Sequence, residues 1–217
     1  MLETVSLFNG LPGNALDALA RMAVKKEVPA GAIVISEGES TDSLYILVKG
    51  RAQAVCNDQN GKQIILNVFE PADFFGEMSF FDSQKRSATV MTVKPSELLV
   101  IPRRAFREFM TGNPDIAFNM IGDLVCKLRT ATRQIEDLAF MDVYGRVVRF
   151  LTEAGNENGV IAERLTHQEI GNRVGASRET VSRIMAALLK EGYIEKKKLP
   201  GFSRQVLVIR KNIPYQV

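Results

Sequence analysis

Two short stretches of this 217-residue chain place charged and hydroxyl side chains at spacings that suit recognition of an anion and of a nucleic acid. The first runs Phe74-Phe75-Gly76-Glu77-Met78-Ser79-Phe80-Phe81-Asp82-Ser83-Gln84-Lys85-Arg86-Ser87-Ala88-Thr89-Val90. Gly76 lets the backbone approach a ligand closely. A short helix starting near Glu77 points free N–H groups at an anion. Arg86 can form a charge-assisted pair with a phosphate, Glu77 can accept from a sugar hydroxyl, Ser87 adds a hydroxyl and Ala88 leaves space. By itself, glycine-glutamate with a distant arginine is equally what a structural Arg–Glu pair leaves in a sequence. The second stretch is Gln168 to Ile184. Ile170, Val174, Val181 and Ile184 can pack two short helices across the tight turn Gly175-Ala176-Ser177. Arg178, Glu179, Ser182 and Arg183 then face outward. Residues at the start of such a second helix reach base edges in a major groove. Arginine can pair with guanine O6 and N7, and glutamate can accept from cytosine N4. The bland alternative is a surface helix of mixed charge.

The surrounding elements are those needed to hold these stretches. Residues 4–24 carry Leu7, Leu11, Leu16 and Leu19 around Pro12-Gly13, which predicts short helices. From Val28 to Ile101, short apolar runs alternate with turn residues: 32–35, 44–48, then Lys49-Gly50, then 52–55, the turn 57–61, 64–68, 88–93 and 98–101. Many short strands at this spacing predict an all-β barrel or sandwich. After Asn113-Pro114-Asp115, a start signal, Ala117, Ile121, Leu124, Leu128, Ala131, Ile135 and Leu138 form a heptad seam. That is the pattern of a dimeric coiled coil, or of a helix packed on its own domain. Residues 140–217 read as three helices and a hairpin. Thr166 and Glu169 form a capping-box signature, Ser177 caps the third helix and Gly192 ends it. The hairpin joins Ile194–Lys198 to Gln205–Ile209.

Composition narrows the class. Apolar residues make up 46% and charged residues 24%, as in an ordinary soluble globular chain. With no apolar run near about 18 residues and no basic, apolar leader at Met1, no membrane partner and a cytoplasmic location are expected. Residues 140–217 carry 13 Lys+Arg against 8 Asp+Glu, and residues 1–139 carry 15 against 17. A basic C-terminal third is the footprint of a nucleic-acid module or of a solvated basic surface. Cys56 and Cys126 are expected to be free, buried thiols. With two cysteines and one histidine, no metal site is expected.

With Leu138-Ala139-Phe140-Met141-Asp142-Val143-Tyr144-Gly145-Arg146 preceding it, the helix-turn-helix string resembles the cyclic-AMP receptor protein family, often called CRP/FNR. The likeness covers nearly the whole chain in order. The first stretch resembles that family's phosphate-binding cassette, and Gly38 and Gly50 match its turn glycines. The resemblance implies an α+β protein with a cyclic-nucleotide-binding β-roll (1–112), a central dimerisation helix (113–139) and a winged helix-turn-helix (140–217). It implies that Glu77 holds the ribose 2′-hydroxyl and Arg86 the cyclic phosphate, assisted by Ser87, within a lining of Phe75, Gly76, Met78, Ser79 and Ala88. The family's adenine-contacting hydroxyls align with Ala131 and Thr132, so one hydroxyl is missing; Lys127 aligns with a usually basic position. Lys85 stands where many members have proline.

At the DNA end, Arg178, Glu179 and Arg183 match base-reading positions, and Thr166, Gln168, Ser177 and Thr180 match phosphate-contacting ones. Ser182 faces outward beside them, and His167 reads as DNA-facing or surface. The implied target is a palindromic TGTGA-type site read by a homodimer, with cyclic AMP or a related nucleotide as effector and RNA polymerase as partner. The iron–sulfur and haem branches lack their cysteines and axial histidine here. Competing readings are a same-fold regulator with another effector, such as a cyclic dinucleotide, or with none, and a regulatory subunit acting through protein contacts. A nucleotide hydrolase using Glu77 as base finds no support, since there is no Walker loop, metal cluster or Ser/His/Asp set. No catalytic activity is expected.

Overall fold

The computed structural model describes residues 2–59, 61–210 and 213–214; residues 1, 60, 211, 212 and 215–217, among them Asn60 of the expected turn, lie outside them. The chain divides into two compact units, Met1–Arg129 and Thr130–Val217. The first opens with two 3-10 turns, Leu2–Thr4 and Ser6–Phe8, and α1 (Gly13–Met22). Strands β1 (Val24–Val28), β2 (Ile33–Ile35), β3 (Leu44–Asn57), β4 (Gln63–Phe69) and β5 (Phe74–Phe75) follow. Helix α2 (Glu77–Asp82), strand β6 (Thr89–Ile101), α3 (Arg103–Gly112) and α4 (Asp115–Phe140), which belongs to the first unit as far as Arg129, complete the run.

Two long antiparallel strands form the spine of the first sheet, whose order is β1-β6-β3-β4, with β2 on β6 and β5 on β3. The expected break at Lys49-Gly50 is not a break. β3 continues through it and bends, with register shifts between Leu47 and Ala52. Gly50 has φ +96, and a Cβ there would lie 2.3 Å from Ser96 Oγ, so only glycine lets the strands close at the bend. Pro95 occupies the matching bend of β6, where a missing N–H is tolerated. The expected strands 88–93 and 98–101 are therefore halves of one strand. β1 was not anticipated; four of its five side chains are exposed, which leaves little apolar pattern to read.

Inside the roll, Val28, Ile35, Leu47, Phe69, Phe75, Val90 and Leu98 form one core. Outside it, Leu7, Phe8, Leu19, Leu44, Ile46, Phe74, Ile101, Phe106, Ile116 and Met120 form a second. Each large side chain so buried stabilises the fold by about 1.5–3 kcal/mol.

The second unit carries α5 (Val143–Ala154), β7 (Val160–Ile161), α6 (His167–Val174), α7 (Arg178–Lys190), β8 (Ile194–Lys198) and β9 (Gln205–Ile209). Its core is Val147, Val148, Leu151, Ile161, Ile170, Val181, Leu188 and Ile194, with Ile184 partly buried against it. The hairpin β8–β9 has β7 on its free edge. Asp142 caps α5 by accepting from Gly145 N at 2.7 Å.

Helix α4 buries Ile116 and Met120, with Leu124 packed on the same core. The residues of the expected seam therefore differ in burial. Ile121, Leu128, Ile135 and Leu138 are exposed as a partner face requires, but Leu124 is used by its own domain. Phe118 (75% exposed) and Val125 join the exposed stripe instead. On a helix of 3.6 residues per turn, the face 116-120-124 faces the core, which turns 118-121-125-128 outward.

Candidate effector cassette and nucleic-acid interface

The cassette folds because β5 delivers its chain to a left-handed glycine. Gly76 has φ +85 and precedes α2. A Cβ on it would lie 2.7 Å from Arg86 Nη1, 3.0 Å from Ser43 O and 3.3 Å from the Tyr45 ring. Glycine is required here for close approach as well as for conformation. Arg86, only 4% exposed, donates from Nη1 to Gly76 O at 2.6 Å, from Nη2 to Ser43 O at 2.8 Å and from Nε to Thr41 Oγ1 at 2.8 Å. Its guanidinium stands 5.8 Å from the Tyr45 ring centroid, and Tyr45 stacks on Phe75 at 5.3 Å. Burial lowers the Arg86 pKa from its ordinary value; Tyr45, Asp42, Glu77 and Glu39 act in the opposite direction. Burial likewise raises the Tyr45 pKa, which Arg86 opposes. Arginine remains a cation in any such setting.

Glu77 is 6% exposed and accepts from Lys127 Nζ at 2.7 Å. That ammonium also lies 4.4 Å from the Phe74 ring centroid. A carboxylate offers about four lone-pair sites, so Glu77 keeps capacity for a sugar hydroxyl beside Lys127. Ser79 is buried and donates to Thr41 O at 3.4 Å. Phe75, Gly76, Glu77, Ser79, Arg86 and Lys127 are thus brought together. Met78 and Ser87 are exposed and meet at 3.4 Å, while Ala88 packs on the roll's core. Ala131 and Thr132 lie exposed on the second-unit part of α4.

In the second unit, Thr166 Oγ1 accepts from Glu169 N at 3.1 Å, and Glu169 Oε2 accepts from Thr166 N at 2.7 Å. Gly175, φ +70, ends α6, and a Cβ on Gly171 would lie 2.6 Å from Ala176 O. Arg146 fastens the motif by donating to Val174 O and Met141 O, each at 2.8 Å. Ser177 Oγ caps α7 by accepting from Thr180 N at 3.1 Å. Arg178, Glu179, Ser182 and Arg183 are exposed on α7; Arg178 and Glu179 have no side-chain hydrogen bond or ion pair among the described residues. Their polar edges are available to a partner. Gln168 donates to Asn172 at 2.7 Å and is exposed, and His167 is the half-buried first residue of α6.

A family model described as "Cyclic nucleotide-binding domain" matches residues 25–113, and one described as "Crp-like helix-turn-helix domain" matches residues 145–208. The cAMP-activated global transcriptional regulator CRP of Pasteurella multocida is 37% identical over 167 residues, covering 74% of this chain and 80% of that protein. The chain belongs to the CRP/FNR family of transcription regulators.

Within that family, a CRP-like cAMP-activated global regulator of Mycobacterium tuberculosis is 31% identical over 201 residues, 89% of this chain and 90% of the other. The fold is that of the c-di-GMP responsive regulator CLP of Xanthomonas campestris, with TM-score 0.77 and 22% identity, covering 92% of this chain and 100% of that one. A CRP/FNR member is a ligand-responsive DNA-binding regulator and not an enzyme. Sequence reasoning missed Thr41, Ser43 and Tyr45, which complete the surroundings of Arg86; they lie more than 40 residues away, and no local pattern links them to it. It also expected buried cysteines, whereas Cys56 is half-buried and Cys126 exposed. No described helix is long and apolar enough to cross a membrane.

Proposed function

We propose that this regulator binds a cyclic nucleotide, cyclic AMP first among them, at the cassette, and as a homodimer reads a palindromic TGTGA-like DNA site. The observation that carries the reading is the buried Arg86. Three of its five N–H donors are held by protein acceptors, which leaves two for an anion. Glu77, one residue beyond the left-handed Gly76, supplies an acceptor for a ribose hydroxyl. Glu77, Arg86 and Ser87 would hold the sugar and phosphate, with Lys127 beside them. The cyclic-AMP response named for the Pasteurella and Mycobacterium relatives supports the choice of nucleotide.

The exposed stripe on α4 supports self-association, and a two-fold dimer reads half-sites about 34–36 Å apart. Arg178, Glu179 and Arg183 read the bases, while Thr166, His167, Gln168, Ser177, Thr180 and Ser182 flank the phosphates. The effector acts by binding the DNA-competent state better than the other, since equal affinity for both would shift nothing. RNA polymerase is the partner that a regulator of this kind serves. Ala131 favours a second reading. With one base-directed hydroxyl absent, another effector such as a cyclic dinucleotide takes the place of cyclic AMP.

Calorimetric titration with cyclic AMP and cyclic GMP, on the wild type and on Arg86→Ala, tests the cassette. Binding that disappears in the variant is expected. DNA affinity measured by fluorescence anisotropy should rise on adding the bound nucleotide. Tight nucleotide binding with unchanged DNA affinity overturns the switch. No binding of either nucleotide overturns the cyclic-mononucleotide reading.

A further inference from the structure

Arg86 is gripped by the loop between β2 and β3 at four points. Its main chain exchanges two bonds with that loop: Gly38 N donates to Arg86 O, and Arg86 N donates to Glu39 O, each at 2.9 Å. Its Nη2 donates to Ser43 O at 2.8 Å, and its Nε donates to the Thr41 hydroxyl at 2.8 Å. Three of these contacts use main-chain groups, which almost any residue supplies. Thr41 is the one side chain of the loop that bonds to the guanidinium. Its own carbonyl also accepts from Ser79 Oγ at 3.4 Å, so a single residue touches both ends of the cassette.

The guanidinium is planar, and Nε carries a single hydrogen. An acceptor fixed on that hydrogen sets the rotation of the plane about its stem. The Nη1 bond to Gly76 O and the Nη2 bond to Ser43 O then leave one hydrogen on each terminal nitrogen. Two N–H groups in one plane are the form that meets two oxygens of a phosphate at once. We infer that Thr41 is a positioning residue for effector recognition, orienting Arg86 toward the anionic group of the ligand. This rests on the reading of the cassette as a cyclic-nucleotide site. Thr41 itself is exposed, so its substitution leaves the core intact.

The test uses the full chain carrying Thr41→Val, which keeps the branched shape and removes the acceptor, and Thr41→Ser, which keeps the acceptor. Titration with cyclic AMP should show about tenfold weaker binding for Thr41→Val, the effect of losing one hydrogen bond to a charged group. Thr41→Ser should bind as the wild type does. In an Arg86→Lys background, which has no Nε–H fork to orient, Thr41→Val should have no further effect. Without nucleotide, hydrogen exchange at Arg86 Nε–H should be slow in the wild type and in Thr41→Ser, and faster in Thr41→Val. Equal affinity for wild type and Thr41→Val, or a Thr41→Ser variant as weak as Thr41→Val, overturns the positioning role. Equal exchange in all three overturns the contact itself, whatever the nucleotide does. A wild type that binds no cyclic nucleotide but protects Nε–H overturns the cassette reading, and with it the role of Thr41 in recognition.

Discussion

A Cβ at position 76 would press on the Arg86 guanidinium and on the Ser43 carbonyl together, so one glycine sets the distance between two halves of the cassette. Arg178 and Glu179, proposed to read DNA bases, are of the opposite kind: exposed, with no side-chain hydrogen bond or ion pair among the described residues. Arg178→Ala removes a group that no neighbour supports, so it should leave the fold unchanged. It should cost about 1–3 kcal/mol of discrimination at the guanine it is proposed to read. Anisotropy titrations against the TGTGA-like palindrome and a random duplex measure this, and equal losses on both would make Arg178 a phosphate contact. Cys56 offers a third case. Burial pushes its thiol up, and the charge and hydrogen bond of Glu37 push it further. In a Cys126→Ser protein, the rate of thiol alkylation should rise with a midpoint above the about 8.5 of a free cysteine. Below that pH the protonated thiol is a poor nucleophile. A midpoint lower than that would make Cys56 a reactive thiol.

At the scale of the element, α4 carries two apolar faces, one packed on the core and one exposed. Leu124 rests on the core with Ile116 and Met120, whereas Val125 lies one residue on, in the exposed stripe. Leu124→Ala should therefore lower stability to urea by about 2 kcal/mol, less than a fully buried leucine would lose, and leave the oligomeric state unchanged. Val125→Glu should do the reverse, converting the proposed dimer to monomer in sedimentation with little loss of monomer stability. If Leu124→Ala dissociates the dimer while Val125→Glu does not, the seam is the one the heptad pattern alone would draw. Strand β3 is divided too. Its bend at Gly50 lets one strand pair with β5 at its start and with β4 at its end.

At the scale of the whole molecule, the two compact units divide the work, and each has its own core. The positive excess lies in the part that carries α7 and the hairpin, where Lys196, Lys197 and Lys198 stand exposed on β8. Phosphate contacts release counterions, so DNA affinity should fall linearly in a log–log plot against salt. Between about 50 and about 200 mM the loss should reach orders of magnitude on random and palindromic duplexes alike. A salt-independent affinity would remove the electrostatic role of this surface.

What the sequence by itself determined are the features decided within a few residues. Thr166 and Glu169 specify the start of α6, and Ser177 and Thr180 specify the start of α7, because the capping hydroxyl and the N–H it accepts from are three positions apart. Glycine before Glu77 marks the turn into α2. The wing strands are bounded as their apolar and turn residues imply. Tertiary structure decided what depends on distant partners. Only the packed core shows that Leu124 turns inward and Phe118 outward, since both fit an apolar helical repeat. Only the closed roll shows that Gly50 bends a strand instead of ending it, because Ser96 lies 46 positions further along the chain. The grip of Thr41 on Arg86, and of Lys127 on Glu77, spans 45 and 50 positions. Such pairs leave no periodicity in a sequence; they exist because the fold brings a surface loop to Arg86 and a helix to Glu77.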